Sequence, residues 1–121
     1  MHEIGLLALS KHPNIVALLS AFYYEAEVCL VMEFMGGGKL TDYVLRRRRF
    51  PENIIAYVVK MTLRALAYMH RLHRLHRDIK SDNILIREDG AIKIADFGFA
   101  TSLANDRKFC ASMAGTPCWY Y

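Results

Sequence analysis

The chain has 121 residues, 54% of them hydrophobic and 12% aromatic, a composition that suits one compact core and excludes a disordered polypeptide. No run approaches the ~20 apolar residues that a bilayer-spanning helix needs, and the first residues lack the pattern of a secretory leader. The net charge of +4 is modest, and much of it lies in Arg46-Arg47-Arg48-Arg49, which reads as a solvated loop rather than a nuclear-import or acidic-partner patch, and nothing indicates nucleic acid.

Taken in chain order, residues 1–11 read as the end of an amphipathic helix, with Ile4, Leu6, Leu7 and Leu9 apolar and Pro13 stopping it. Residues 15–22 and 28–34 read as two strands, with Glu25-Ala26-Glu27 supplying the turn. Gly36-Gly37-Gly38 breaks the chain, and residues 40–45 suggest a short helix. Pro51 is suited to open a long helix that runs to about Arg71. Two apolar stripes follow it, one through Ile54, Val58, Met61, Ala65 and Tyr68, the other through Ile55, Val59, Thr62, Leu66 and Met69. Only Lys60, Arg64 and Arg71 mark a polar face, so the pattern predicts a largely buried helix. Residues 84–86 and 91–95 read as short strands joined by a turn at Glu88-Asp89-Gly90. No internal repeat or linker interrupts the series.

The chemistry is concentrated in His76-Arg77-Asp78-Ile79-Lys80-Ser81-Asp82-Asn83 and in Asp96-Phe97-Gly98. Asp78, an acid able to accept a proton, stands five residues before Asn83, an amide able to bind metal, and Asp96 follows thirteen residues later. Asn83 and Asp96 offer hard oxygens of the kind Mg²⁺ prefers beside phosphate oxygens. Lys80 can meet a phosphoryl group as a point charge, and Arg77 can anchor a phosphorylated segment. Each alone reads as a solvated loop charge; the ordered set does not. His70, His73 and His76 recur every third residue, but no cysteine or carboxylate set completes a four-ligand zinc shell around them. His76 is better used as the packing residue that opens the loop.

This H-R-D-x-x-x-x-N stretch followed by D-F-G resembles the catalytic motifs of eukaryotic-type protein kinases. The resemblance makes Asp78 the base that takes the acceptor hydroxyl's proton, Lys80 the charge on the transferring phosphoryl group, and Asn83 and Asp96 the metal ligands. It extends along nearly the whole chain. Glu3, nine residues before His12-Pro13-Asn14-Ile15-Val16, is similar to the helix-C glutamate that pairs with a strand lysine. Leu30-Val31-Met32-Glu33-Phe34-Met35-Gly36-Gly37-Gly38 resembles the hinge, with Met32 as gatekeeper, the Glu33 carbonyl and Met35 amide addressing adenine, and Leu85 beneath the ring. Leu7, Leu18, His76 and Phe97 occupy positions similar to the hydrophobic spine, and each also reads as plain core. Lys80 and Gly115-Thr116-Pro117 resemble serine/threonine kinases, and the wording around both motifs is most similar to the sterile-20-like branch. There Thr116 bridges Asp78 and Lys80, and Ser112 falls at the activation-loop phosphosite, with Arg77 as its natural partner.

The expected fold is α+β, a partial bilobal kinase domain. Residues 1–35 form a remnant of the small lobe and the hinge, and residues 36–121 the start of the large lobe through the activation segment. The family's Gly-rich loop and strand lysine would precede Met1, and its A-P-E motif would follow Tyr121, so this stretch is expected to be inactive alone. Lys39 departs from the acid or small polar residue that several relatives place toward the ribose. The expected reaction transfers the ATP γ-phosphate to a protein Ser/Thr hydroxyl with Mg²⁺, the alternative being a non-catalytic kinase-like binding or regulatory module. Expected partners are a protein substrate and, for the full-length protein, a small GTPase or an upstream kinase, with no nucleic acid and no membrane span. Cys29, Cys110 and Cys118 form an odd set without C-x-x-C spacing, which predicts free thiols and a cytoplasmic location.

Overall fold

The computed structural model of the chain describes residues 10–46, 49–98, 100–103 and 114–119. Of the helix end expected over residues 1–11, residues 1–9 with Glu3 and Leu7 lie outside the described residues, as do Arg47, Arg48, Cys110 and Ser112, while Ser10 and Lys11 are not helical. Seven strands and two helices are present among those described: β1 (Leu18–Tyr24), β2 (Glu27–Met32), β3 (Gly38–Lys39), α1 (Leu40–Arg46), α2 (Glu52–Arg71), β4 (Arg74–Leu75), β5 (Ile84–Ile86), β6 (Ile92–Ile94) and β7 (Thr101–Ser102). Short 3-10 turns cover Ser81–Asn83 and Pro117–Trp119.

β1 and β2 form an antiparallel hairpin whose last pair, Tyr24 with Glu27, leaves a two-residue turn. Glu25 and Ala26 both take positive φ there, 47° and 66°, the mirror-image turn whose twist matches paired strands. The first strand starts later than the apolar run suggested. Residues 14–16 are captured instead by β6: the Val16 N–H donates to the Ile94 carbonyl (3.0 Å) and the Ile94 N–H to the Asn14 carbonyl (2.9 Å). The Asn14 side chain adds a buried bond to the Ile92 carbonyl at 2.8 Å. β2 likewise stops at Met32 rather than residue 34, because the chain turns into the glycine run after the Glu33 N–H reaches the Ala17 carbonyl at 3.0 Å. The strand expected over residues 91–95 is three residues long, ending where Ala95 turns its N–H to the Asn83 carbonyl at 2.8 Å.

A second sheet has the order β3-β5-β6, all antiparallel, and β4 pairs with β7. Neither β3, β4 nor β7 was legible as a strand, since two-residue pairings carry no periodicity. Gly37 has to be glycine: a Cβ there would stand 2.7 Å from the Ile86 carbonyl oxygen.

α2 has the predicted limits. Pro51 fixes its entry at φ −57°, and its carbonyl accepts the Ile54 and Ile55 N–H groups. His73, at φ 53°, reverses the chain two residues past the end. The burial of α2 differs from expectation. Only Thr62, Ala65 and Met69 are buried, Val58, Met61, Leu66 and Tyr68 are half-buried, and Ile54, Ile55, Val59 and Leu63 are exposed. The packed face draws on both stripes: Val58, Met61, Ala65 and Tyr68 of one and Leu66 and Met69 of the other meet Ile15, Ile84, Ile92, Ile94, Phe97 and Ala100, while Ile54, Ile55 and Val59 at the start of the helix stay exposed. No helix among the described residues is long and apolar enough to cross a membrane.

Candidate active site

The loop between β4 and β5 is held by one buried histidine. Partners at both ring nitrogens assign the His76 tautomer: Nε2–H donates to the Ala95 carbonyl (3.0 Å), and Nδ1 accepts the Asp78 N–H (3.3 Å). Its ring lies 5.3 Å from that of fully buried Phe97. Burial pushes the imidazole's pKa down, and this outweighs the upward pull of the Ala95 carbonyl and of Asp96 and Asp78. A neutral ring therefore fastens the Asp78 loop to the Asp96 turn. Arg77 (φ 67°) and Asp96 (φ 63°) both sit in the left-handed region, which concentrates backbone strain at these two turns.

Asp78 is the centre of a closed polar network, with its side chain only 1% exposed. Oδ1 accepts the Thr116 hydroxyl at 2.6 Å; Oδ2 accepts Lys80 Nζ at 3.0 Å and Asn83 Nδ2 at 2.9 Å. Lys80 Nζ also donates to Thr116 Oγ1 at 2.7 Å, so the hydroxyl bridges Lys80 and Asp78. Asn83 Nδ2 donates in addition to the Asp78 carbonyl (2.9 Å), which leaves Asn83 Oδ1 as the atom able to face a cation. Burial alone would raise the Asp78 pKa; the bonds from Thr116, Lys80 and Asn83 more than offset it and hold the carboxyl below its ordinary value. The 3-10 turn at Ser81–Asn83 is tied to α1 by the Thr41 hydroxyl, 2.8 Å from that of Ser81.

Asp96 lines a cleft of about 560 Å³ together with Val16, Leu30, Met32, Glu33, Phe34, Met35, Leu85 and Ala95. The four residues read from the sequence as an adenine slot thus share one cavity. Val16 and Ala95 escaped the sequence reading, although Ala95 is adjacent to the D-F-G triplet. No described residue donates to the Glu33 carbonyl or accepts from the Met35 N–H, so an acceptor and a donor remain open along this rim. Asp96 Oδ1 caps its own turn by accepting the Gly98 N–H at 3.1 Å. Leu18 packs on the core that contains Phe97. Lys39 is exposed, and His70 and His73 are exposed while His76 is buried, so the three histidines do not converge.

Residues 1–121 match the protein kinase domain family. The chain belongs to it. Curated relatives include the serine/threonine-protein kinase pakC of Dictyostelium discoideum, 48% identical over 120 residues, with 97% of this chain and 25% of the relative covered. Serine/threonine-protein kinase pak-1 of Caenorhabditis elegans is 42% identical over 119 residues, covering 98% and 21%. Serine/threonine-protein kinase PAK mbt of Drosophila melanogaster is 42% identical over 118 residues, covering 98% and 18%. The sterile-20-like, PAK-type resemblance is thereby established. The chain spans a quarter or less of the length of these relatives. Kinases of this family generally use ATP and Mg²⁺.

Proposed function

We propose that this chain is the catalytic centre of a serine/threonine protein kinase that transfers the ATP γ-phosphate to protein hydroxyls. In this reading residues 1–35 belong to the small lobe and hinge, and residues 36–121 to the first part of the large lobe. The observation that carries it is the Asp78–Lys80–Thr116–Asn83 network, tied through His76 to Ala95, whose neighbour Asp96 lines a largely apolar cleft. The donor chemistry fits the cofactor: Asn83 and Asp96 would hold Mg²⁺ through oxygen, and the cleft residues Met32, Met35 and Leu85 with the Glu33 backbone would hold adenine. Bound Mg²⁺-ATP supplies the transferable group and neutralises its charge.

Asp78 has about four lone-pair positions, and three are occupied, so one on Oδ1 remains for an acceptor hydroxyl. Its lowered pKa makes it a weak base that stays firmly ionised. That suits phosphoryl transfer, whose loose transition state releases the hydroxyl proton late and needs orientation more than base strength. Lys80 stabilises negative charge on the transferred group. Glu3 as a helix-C partner, Ser112 as a phosphosite and Arg77 as its docking cation complete the proposal by family resemblance. On the same ground we assign a cytoplasmic location, Ser/Thr-bearing protein substrates, and control by a small GTPase or an upstream kinase.

The test is phosphoryl transfer from Mg²⁺-ATP to a Ser/Thr protein substrate by the protein in its full length. Asp78→Asn keeps the shape and is expected to lower kcat by at least roughly 10²-fold with folding intact. A wild-type protein that transfers no phosphate, or an Asp78→Asn variant as fast as wild type, would overturn the assignment.

A further inference from the structure

Lys93 is the middle residue of β6, three before Asp96, and no motif reading gave it a task. Its side chain is only 9% exposed and ends 2.5 Å from Glu33 Oε1 on the cleft rim, itself 16% exposed. The same carboxylate oxygen accepts the Ala17 N–H at 2.7 Å, while the Glu33 N–H returns a bond to the Ala17 carbonyl. Burial alone would raise the Glu33 pKa; the Lys93 and Ala17 donors outweigh it and hold the carboxyl down, so Glu33 is ionised. Past Glu33 the rim is loosely held. Phe34 is 83% exposed, and Met35 is fixed by its carbonyl to the Gly38 N–H at 3.0 Å. The Glu33–Lys93 pair is therefore the one charged tie, among the described residues, between the rim and the strand that leads into Asp96.

We propose that this pair is a positioning device: it sets the spacing between the rim atoms of Glu33 and Met35 and the Asp96 side chain, which line the same cleft. A nucleotide that touches both the rim and Asp96 reads that spacing directly. The pair thus governs nucleotide affinity and leaves the transfer step to the Asp78 network. The nucleotide half of this inference rests on the kinase reading; the rim-positioning half does not.

Two measurements on the full-length protein separate them. Lys93→Met removes the cation and leaves a carboxylate buried without its partner. It is expected to speed hydrogen exchange at the Phe34 and Met35 amides by about tenfold or more without nucleotide, since the tie is a partly buried charge pair. It should raise KM for ATP by about fivefold or more with kcat within about twofold, a ground-state binding defect. Lys93→Arg keeps the charge and should restore both readouts, which a merely space-filling role would not do. If Lys93→Met fails to fold, Glu33→Gln with Lys93→Met carries the test. It removes both charges, retains an oxygen for the Ala17 N–H, and is expected to show the same exchange and KM changes. Unchanged exchange at Phe34 and Met35 in a folded variant reduces the pair to a stability element and sinks the proposal. Faster exchange with a lower KM would mean that the pair restrains the rim, which also overturns it. A wild-type protein without kinase activity refutes the proposed function, while the exchange readout still decides the positioning claim.

Discussion

Thr116 shows how much one hydroxyl decides at this site. It donates to Asp78 and accepts from Lys80, so removing it leaves a buried carboxylate short of one donor and the ammonium free to collapse on Oδ2. Thr116→Val should lower kcat by about 10–100-fold, the range set by losing a hydrogen bond to a charged group. Thr116→Ser keeps the hydroxyl and should stay near wild type; equal defects in the two would show that the methyl group, not the bridge, matters. Stability is also pH-dependent in two stages. His76 and His12 both have folded pKa values below the ordinary one, chiefly through burial. Their contribution is present above about pH 6.5 and is lost as pH falls through the folded values, because the unfolded chain takes up the proton first. Asp78 and Glu33 are also depressed, so theirs is present above about pH 4 and is lost on further acidification. Chemical denaturation as a function of pH should show both stages, and His76→Phe should shrink the upper one. An upper stage of full size in that variant would remove His76 from the account.

At the scale of elements, legibility followed the range of the interactions. The limits of α2 were readable because proline entry and helical spacing are local. The order of Asp78, Lys80, Asn83 and Asp96 was readable because the chemistry demands those side chains at those spacings. The start of β1 was not, since a distant strand, β6, takes the backbone of residues 14–16. Lys93 was hidden for the same reason: its partner Glu33 is sixty residues away, and a lysine alternating with isoleucines reads as solvent-facing. The β1–β2 turn was placed correctly but not its strain. An L-residue in the left-handed region costs about 1–2 kcal/mol, and Ala26 has no short polar side chain to relieve it. Ala26→Gly should therefore stabilise the protein by about 0.5–1 kcal/mol after glycine's extra unfolded-state entropy is subtracted. A lower denaturation midpoint for that variant would show that Ala26 is not held at positive φ.

For the molecule as a whole, the informative failure is the outer face of α2. Two apolar stripes predicted a buried helix, yet Ile55 is 49% exposed and Leu63 58%, beside Val44 and Leu45 of α1 at 48% and 80%. These helices border an apolar groove of about 410 Å³ floored by Ile79 and Ile84. A contiguous apolar surface of this kind marks an association site. The 121-residue chain, prepared by itself, should consequently self-associate at roughly 10–100 µM, because burying apolar area returns about 25 cal/mol per Å². Ile55→Glu together with Leu63→Lys puts charges on that face where little is packed, so their cost to folding should stay within about 0.5 kcal/mol each. Sedimentation velocity should then show association in the parent chain and a monomer in the double variant, at equal thermal stability. A parent chain that sediments as a monomer at these concentrations would show that the outer face of α2 is covered in solution. A variant that loses cooperative unfolding would show instead that Ile55 and Leu63 belong to the folded core.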